Sequence, residues 1–173
     1  SLITLSFAYA TNIAWLAGRG YSTFGVSIPA SYRGQRDQVS GDLLLIFWEN
    51  MADPIITGRE DLGFAKLYCE IPDPQFIGDK VTCRASWDGC QFAHLELNNL
   101  KQLTPDALPD SEPSDGTLHY KYIPKTGCPG EADVEYAVLT PAADPFVSID
   151  KAMVAETAHC HFRHSTWEEL PTL

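Results

Sequence analysis

Positive charge is scarce in this chain. Its 173 residues carry 12 Lys and Arg against 23 Asp and Glu, a formal charge of −11. A balance this acidic argues against a nucleic-acid footprint or an anionic membrane surface as partner. Any anionic ligand would have to be met by a few placed cations. Long apolar runs are missing too: the longest, Leu43 to Trp48, is strand-sized, far short of the ~18 residues a membrane helix needs. No basic segment is followed by an apolar one in the manner of a secretory signal. The five cysteines, at 69, 83, 90, 128 and 160, are odd in number and contain no C-x-x-C pair. That spacing excludes a zinc ribbon and points to reduced thiols in a cytoplasmic protein, with no metal and no cofactor expected.

Helical periodicity is nearly absent as well. What recurs are short alternating runs broken by Gly, Pro, Asn and Asp, the pattern of an antiparallel β protein. Ile3, Leu5, Phe7 and Tyr9 alternate with small or polar neighbours and predict a first strand. Phe24–Tyr32 and Asp42–Glu49 predict two more. The second of these is apolar on both faces and so belongs in the middle of a sheet. Phe64–Ile71 predicts a fourth. Asp88-Gly89 is a two-residue hairpin signal; a turn of that length fixes the register, setting Trp87 against Cys90, Ala85 against Phe92 and Cys83 against His94. Val81, Cys83, Ala85, Trp87, Phe92 and His94 then share one face, expected to point inward. The stretch 104–116, with three prolines and four acids, reads as a solvent loop. Strands follow over Thr117–Ile123, Ala132–Thr140 and Met153–Arg163. A short helix is expected at Ser165–Leu170, where Ser165 with Glu168 fits a capping box. The chain therefore predicts a single domain over residues 1–173, mainly β. Its alternation and aromatic content suit one antiparallel β-barrel with a few short helices and an apolar pocket.

The chemistry concentrates around Lys66. Gly58 and Gly63 frame a turn, and the strand beginning at Phe64 places Phe64, Lys66 and Tyr68 on one face by its period of two. A lysine in an apolar strand has two readings. Its stem can lie along the surface with the ammonium in water. Alternatively it is aimed into a pocket, where burial favours the neutral amine. A neutral amine condenses with a ketone to a Schiff base, whose iminium accepts the electrons of a breaking carbon–carbon bond.

The same residues carry a resemblance. Gly58-Arg59-Glu60 followed by Phe64-Ala65-Lys66 resembles the Gly-Arg-Glu motif and lysine strand of the acetoacetate decarboxylase family. The segments Tyr21–Pro29, Tyr120–Pro124 and Ser165–Thr172 are similar to further parts of it. The resemblance implies an acetoacetate decarboxylase-like barrel, Lys66 as the Schiff-base nucleophile, and a small keto acid or ketone as substrate. It implies a lyase, with aldolase or dehydratase chemistry in the same barrel, or non-catalytic binding of a small molecule, as alternatives. The chain departs from the family pattern in places. Leu67 replaces the second lysine, so like-charge depression of the amine is not available. Phe64 replaces a tyrosine. Thr23 and Ala8 stand where the family has pocket glutamates. The start and end of the chain lack an arm with a pocket arginine and a terminal helix.

Other candidates follow from position. Arg59 can orient a carboxylate bidentately or hold the turn together with Glu60. Phe64 and Tyr68 are expected to wall the lysine. Arg19, in a Gly-Arg-Gly loop, can supply a cation, and Thr23 can line the pocket. Glu49, at the end of the central strand, is either a substitute carboxylate or a solvated strand end. His159 and His161 share a strand face without a third metal ligand. His94 and His119 read as structural. Unfinished strand edges at both ends suggest a homo-oligomer.

Overall fold

The computed structural model describes residues 2–104, 107, 114–142 and 149–163. The helix expected at Ser165–Leu170 lies outside them. Among the described residues ten strands form two sheets. The first contains β1 (Thr4–Ala10), β2 (Tyr21–Arg33), β3 (Gln38–Glu49), β8 (Gly116–Pro124) and β9 (Ala132–Pro141) in that spatial order, with β4 (Lys66–Tyr68) also pairing with β3. The second runs β10 (Met153–Phe162), β7 (Cys90–Gln102), β6 (Lys80–Trp87), β5 (Gln75–Ile77). The protein is thus mainly β. The described pairings form two separate sheets, and none of them closes a ring, so the expected single barrel is not what they outline. Nor is the pairing wholly antiparallel: β3 meets both β4 and β8 in parallel. No helix among the described residues is long and apolar enough to cross a membrane.

Strict alternation explains where the core sits. One cross-strand row is Phe7, Phe24 and Trp48, and the next is Ala8, Thr23 and Glu49. Adjacent rows point to opposite faces. The aromatic row faces the second sheet. Phe24 stacks on Phe7 at 4.3 Å and on Trp48 at 5.2 Å between ring centroids, and Phe92 and Phe162 from the second sheet close around them. Burial of Phe24, almost complete, contributes about 2–3 kcal/mol. The row carrying Glu49 faces away from this core.

The Asp88-Gly89 hairpin forms as expected, both residues at positive φ (46° and 76°), the requirement of a two-residue primed turn. Trp87 pairs with Cys90, but an irregularity between Ala85 and Ser86 then shifts the register. Ala85 meets Ala93, Arg84 meets His94 and Cys83 meets Leu95. The extra residue at Phe92 is buried together with Ala93, so Val81, Cys83, Ala85 and Phe92 do point inward. Trp87, at 39% exposure, does not.

The fourth strand is far shorter than expected. Before it, Ala52–Thr57 forms a one-and-a-half-turn helix, α1, which runs into a wide π-type turn at Gly58–Leu62. Wide turns of this kind gather at functional sites. Together α1 and the turn make a strap that delivers the chain to β4.

Candidate functional site

Lys66 opens β4 opposite Phe47 of β3, and its side chain is buried at 7% exposure. Its ammonium lies 2.8 Å from Oε1 of Glu49, which is 0% exposed. Glu49 is therefore not a solvated strand end. Lys66 Nζ also donates to the carbonyl of Pro54 at 3.0 Å, in the first turn of α1. The rings of Phe64 and Phe47 stand 5.2 and 5.5 Å from the ammonium, within cation–π range. Gly58 is what lets the strap come this close. A Cβ there would stand 2.5 Å from Lys66 Cε and 2.6 Å from Nζ.

Burial pushes the Glu49 carboxyl above its usual range, and the Lys66 ammonium offsets only part of that. No hydrogen-bond donor with good geometry reaches either carboxylate oxygen among the described residues; the 2.8 Å contact is an ion pair. A carboxyl raised in this way accepts a proton readily.

The remaining wall comes from β8. Its alternation turns His119 and Lys121 toward the strap and Tyr120 and Tyr122 to solvent. The His119 ring stacks on Phe64 at 3.9 Å and is 3% exposed. Burial, chiefly, and the Lys66 charge hold its pKa below the ordinary histidine value. The nearby Leu62 backbone raises it in part, although no partner meets hydrogen-bond geometry at either ring nitrogen. A histidine depressed on folding contributes stability that is complete above its unfolded pKa of 6.5 and is lost as pH falls from there through the folded value. Glu49 acts with the opposite sign: raised on folding, it lets stability drop as pH climbs from its unfolded 4.5 through the folded value. Chemical denaturation at pH 7 and pH 5 should therefore show His119→Phe losing less stability on acidification than the unaltered protein, by up to about 1.4 kcal/mol per pH unit inside the histidine window. Identical pH slopes for the two proteins would contradict the buried neutral imidazole.

Lys121, 7% exposed, donates to the carbonyls of Glu60 and Asp61 in the π-type turn, the second at 3.3 Å. Sequence reasoning passed over it. The signal was its parity with His119 on a strand whose intervening tyrosines face out.

The other expected residues separate into two groups. Arg59 Nη1 donates to the Lys66 carbonyl at 2.9 Å, so the guanidinium braces the lysine strand from behind. Thr23 is buried directly across from Glu49. Glu60 serves through its backbone, its side chain being exposed. Tyr68 lies across from Glu49 on the lysine's face but is half exposed at 51%, and no described contact brings its ring to Lys66. Arg19 Nε bonds the Leu16 carbonyl within its own loop, and no described contact brings it to Lys66. His159 and His161 lie across from Glu96 and His94 on the second sheet, away from β4. A hollow of about 270 Å³ is bounded by Arg59, Phe64, Ala65, Lys121 and Tyr122.

The sequence pattern of the family described as Acetoacetate decarboxylase (ADC) matches residues 1–173. Among solved structures, an acetoacetate decarboxylase from Legionella pneumophila is similar at 16% identity with a TM-score of 0.71, over 95% of this chain and 61% of that one. A second acetoacetate decarboxylase structure gives 17% identity and a TM-score of 0.74, over 95% and 63%. The enduracididine biosynthesis enzyme MppR, complexed with pyruvate, gives 14% and 0.61, over 86% and 56%. The chain thus spans about three fifths of the length of the two decarboxylase structures. No curated protein sequence matches it.

Proposed function

The chain belongs to the acetoacetate decarboxylase family, and from that premise we propose that it is a Schiff-base-forming lyase whose nucleophile is Lys66 and whose substrate is a small β-keto acid or related ketone. The observation that carries this reading is the buried Lys66–Glu49 pair: an amine held out of water, 2.8 Å from a carboxyl whose pKa is raised. Transfer of one proton from ammonium to carboxylate leaves both groups neutral, which burial favours, and frees the lone pair. The amine adds to the substrate carbonyl. Glu49 then returns its proton to the carbinolamine oxygen, water leaves, and an iminium forms. In a β-keto acid the bond to the carboxylate breaks next; carbon dioxide departs, and its electron pair moves through the enamine to nitrogen. Protonation at carbon and addition of water release the ketone and restore the amine.

Around this step Phe64 and Phe47 supply the low-polarity wall, and Thr23 offers a hydroxyl beside Glu49. Arg59 fixes the strand and keeps further N–H groups for a carboxylate. The same iminium supports aldol or dehydration chemistry, and a relative of this fold is described as complexed with the condensation product of pyruvate and imidazole 4-carboxaldehyde. A second reading rests on a specific observation. The amine is already paired and does not line the neighbouring hollow, which suits an inert buried ion pair in a small-molecule-binding protein.

One experiment separates these. The protein is incubated with acetoacetate or an acetopyruvate-like ketone, reduced with borohydride and digested for mass spectrometry. The lyase reading expects a reduced adduct on Lys66, absent in Lys66→Ala. Release of carbon dioxide marks decarboxylation, and an adduct without it marks aldol-type chemistry. No adduct on the unaltered protein supports the inert pair.

A further inference from the structure

We infer that Lys121 is a positioning residue for Lys66, acting through the strap without touching substrate. The inference rests on the reading of Lys66 as the reactive amine. The two lysines grip the same strap from the sheet. Lys66 holds its beginning, through the Pro54 carbonyl and the close packing against Gly58. Lys121 holds its end, through the Glu60 and Asp61 carbonyls. Those carbonyls close a π-type turn, where the last C=O groups have no partner further along. The turn ends at Gly63, at φ 78°, and its N–H returns to Arg59 while that of Phe64 returns to Gly58. A Cβ at Gly63 would stand 2.4 Å from Lys121 Cβ, so the turn is seated on the lysine stem as well as on its ammonium.

The charge arrangement explains why this residue is a lysine. Among the described residues no carboxylate pairs with Lys121; its nearly buried ammonium is met by backbone carbonyls. A buried cation is costly unless its hydrogen bonds are made, and a side chain used only for packing would not need the charge. A lysine here ties two carbonyls at once and fixes the strap's distance from the sheet. That distance sets how tightly Gly58 seals Lys66. Without the ammonium, two turn carbonyls lose their donor and turn to water, the strap lifts, and Lys66 becomes reachable from solvent.

The test reads Lys66 accessibility directly. The full chain, as wild type, Lys121→Met and Lys121→Arg, is pulsed with acetic anhydride, and acylation is followed peptide by peptide. Hydrogen exchange is measured over 52–64, with the Asp88-Gly89 hairpin as internal reference. Lys121→Met keeps the stem against Gly63, so Lys66 acylation should rise at least tenfold and strap amides should lose protection while the hairpin keeps its own. Lys121→Arg retains charge and donors and should restore most of the shielding. Acylation within twofold of wild type in Lys121→Met, with strap amides still protected, overturns the inference. So does equal loss of protection in strap and hairpin for both variants, which marks a general loss of fold. Wild-type shielding of Lys66 that depends on Lys121, with no borohydride adduct, leaves this inference standing and removes the lyase reading.

Discussion

Glu49→Gln should destabilise the protein by about 3–5 kcal/mol, because the glutamine leaves the Lys66 ammonium buried without its counter-charge. Nothing else described nearby can neutralise it: the Pro54 carbonyl is a neutral acceptor and the two rings contribute weakly. For a chain of this size the loss corresponds to a drop in melting temperature on the order of 10 °C. The double variant Glu49→Leu with Lys66→Met removes both charges and should recover most of the stability, since a buried pair and an apolar replacement of similar volume differ little. Urea unfolding of the two singles and the double, read as a thermodynamic cycle, measures the coupling. A Glu49→Gln loss under about 1 kcal/mol would mean that the pair is solvated, and the shielded amine on which the catalytic reading depends would go with it.

Gly58→Ala should impair the chemistry without unfolding the protein. The residue has ordinary helical angles, φ −65° and ψ −38°, so the backbone does not require glycine, and alanine is the better helix former. The requirement comes from across the gap: the added methyl would overlap the end of the Lys66 side chain. That end is flexible and moves more easily than backbone. The folded state should therefore persist, at a cost bounded by the roughly 3–5 kcal/mol of a broken buried pair, while the amine is displaced from Glu49. Borohydride trapping of a ketone on Lys66 should fall at least tenfold. Unchanged trapping in a folded Gly58→Ala protein would show that the strap does not set the amine's position.

The strands were legible wherever alternation was long. β2, β3, β8, β9 and β10 lie close to the runs of alternating residues, and the central placement of β3 followed from its two apolar faces. The hairpin turn was legible from Asp88-Gly89, but the register beyond it was not. A single bulge moves every later pair by one residue, and no residue type announces it; hence His94 sits across from Arg84 instead of Cys83. The strap was read only as a turn framed by two glycines, because α1 is too short to show a period. Lys66 was legible from its isolation in an apolar strand. Glu49 was legible only as one of two alternatives, a substitute carboxylate or a solvated strand end; its pairing with Lys66 emerges once the row Ala8–Thr23–Glu49 is seen to face the strap. Tyr68 shares β4 and a face with Lys66, but alternation fixes only the side a residue takes, not whether anything covers it there, and half of Tyr68 stays exposed.

The parallel pairing of β3 with β8 also bears on how the chain is made. Gly41 finds Gly116 only after some 75 further residues have been synthesised. Until then β4 covers only the Phe47–Glu49 end of that edge of β3, and its Gly41–Leu43 stretch leaves the ribosome unsatisfied. Parallel contacts between such distant segments form late and slowly, and an open apolar edge invites other chains. Recovery of soluble protein should thus be governed more by how nascent β3 is kept from neighbouring chains than by the stability of the finished molecule.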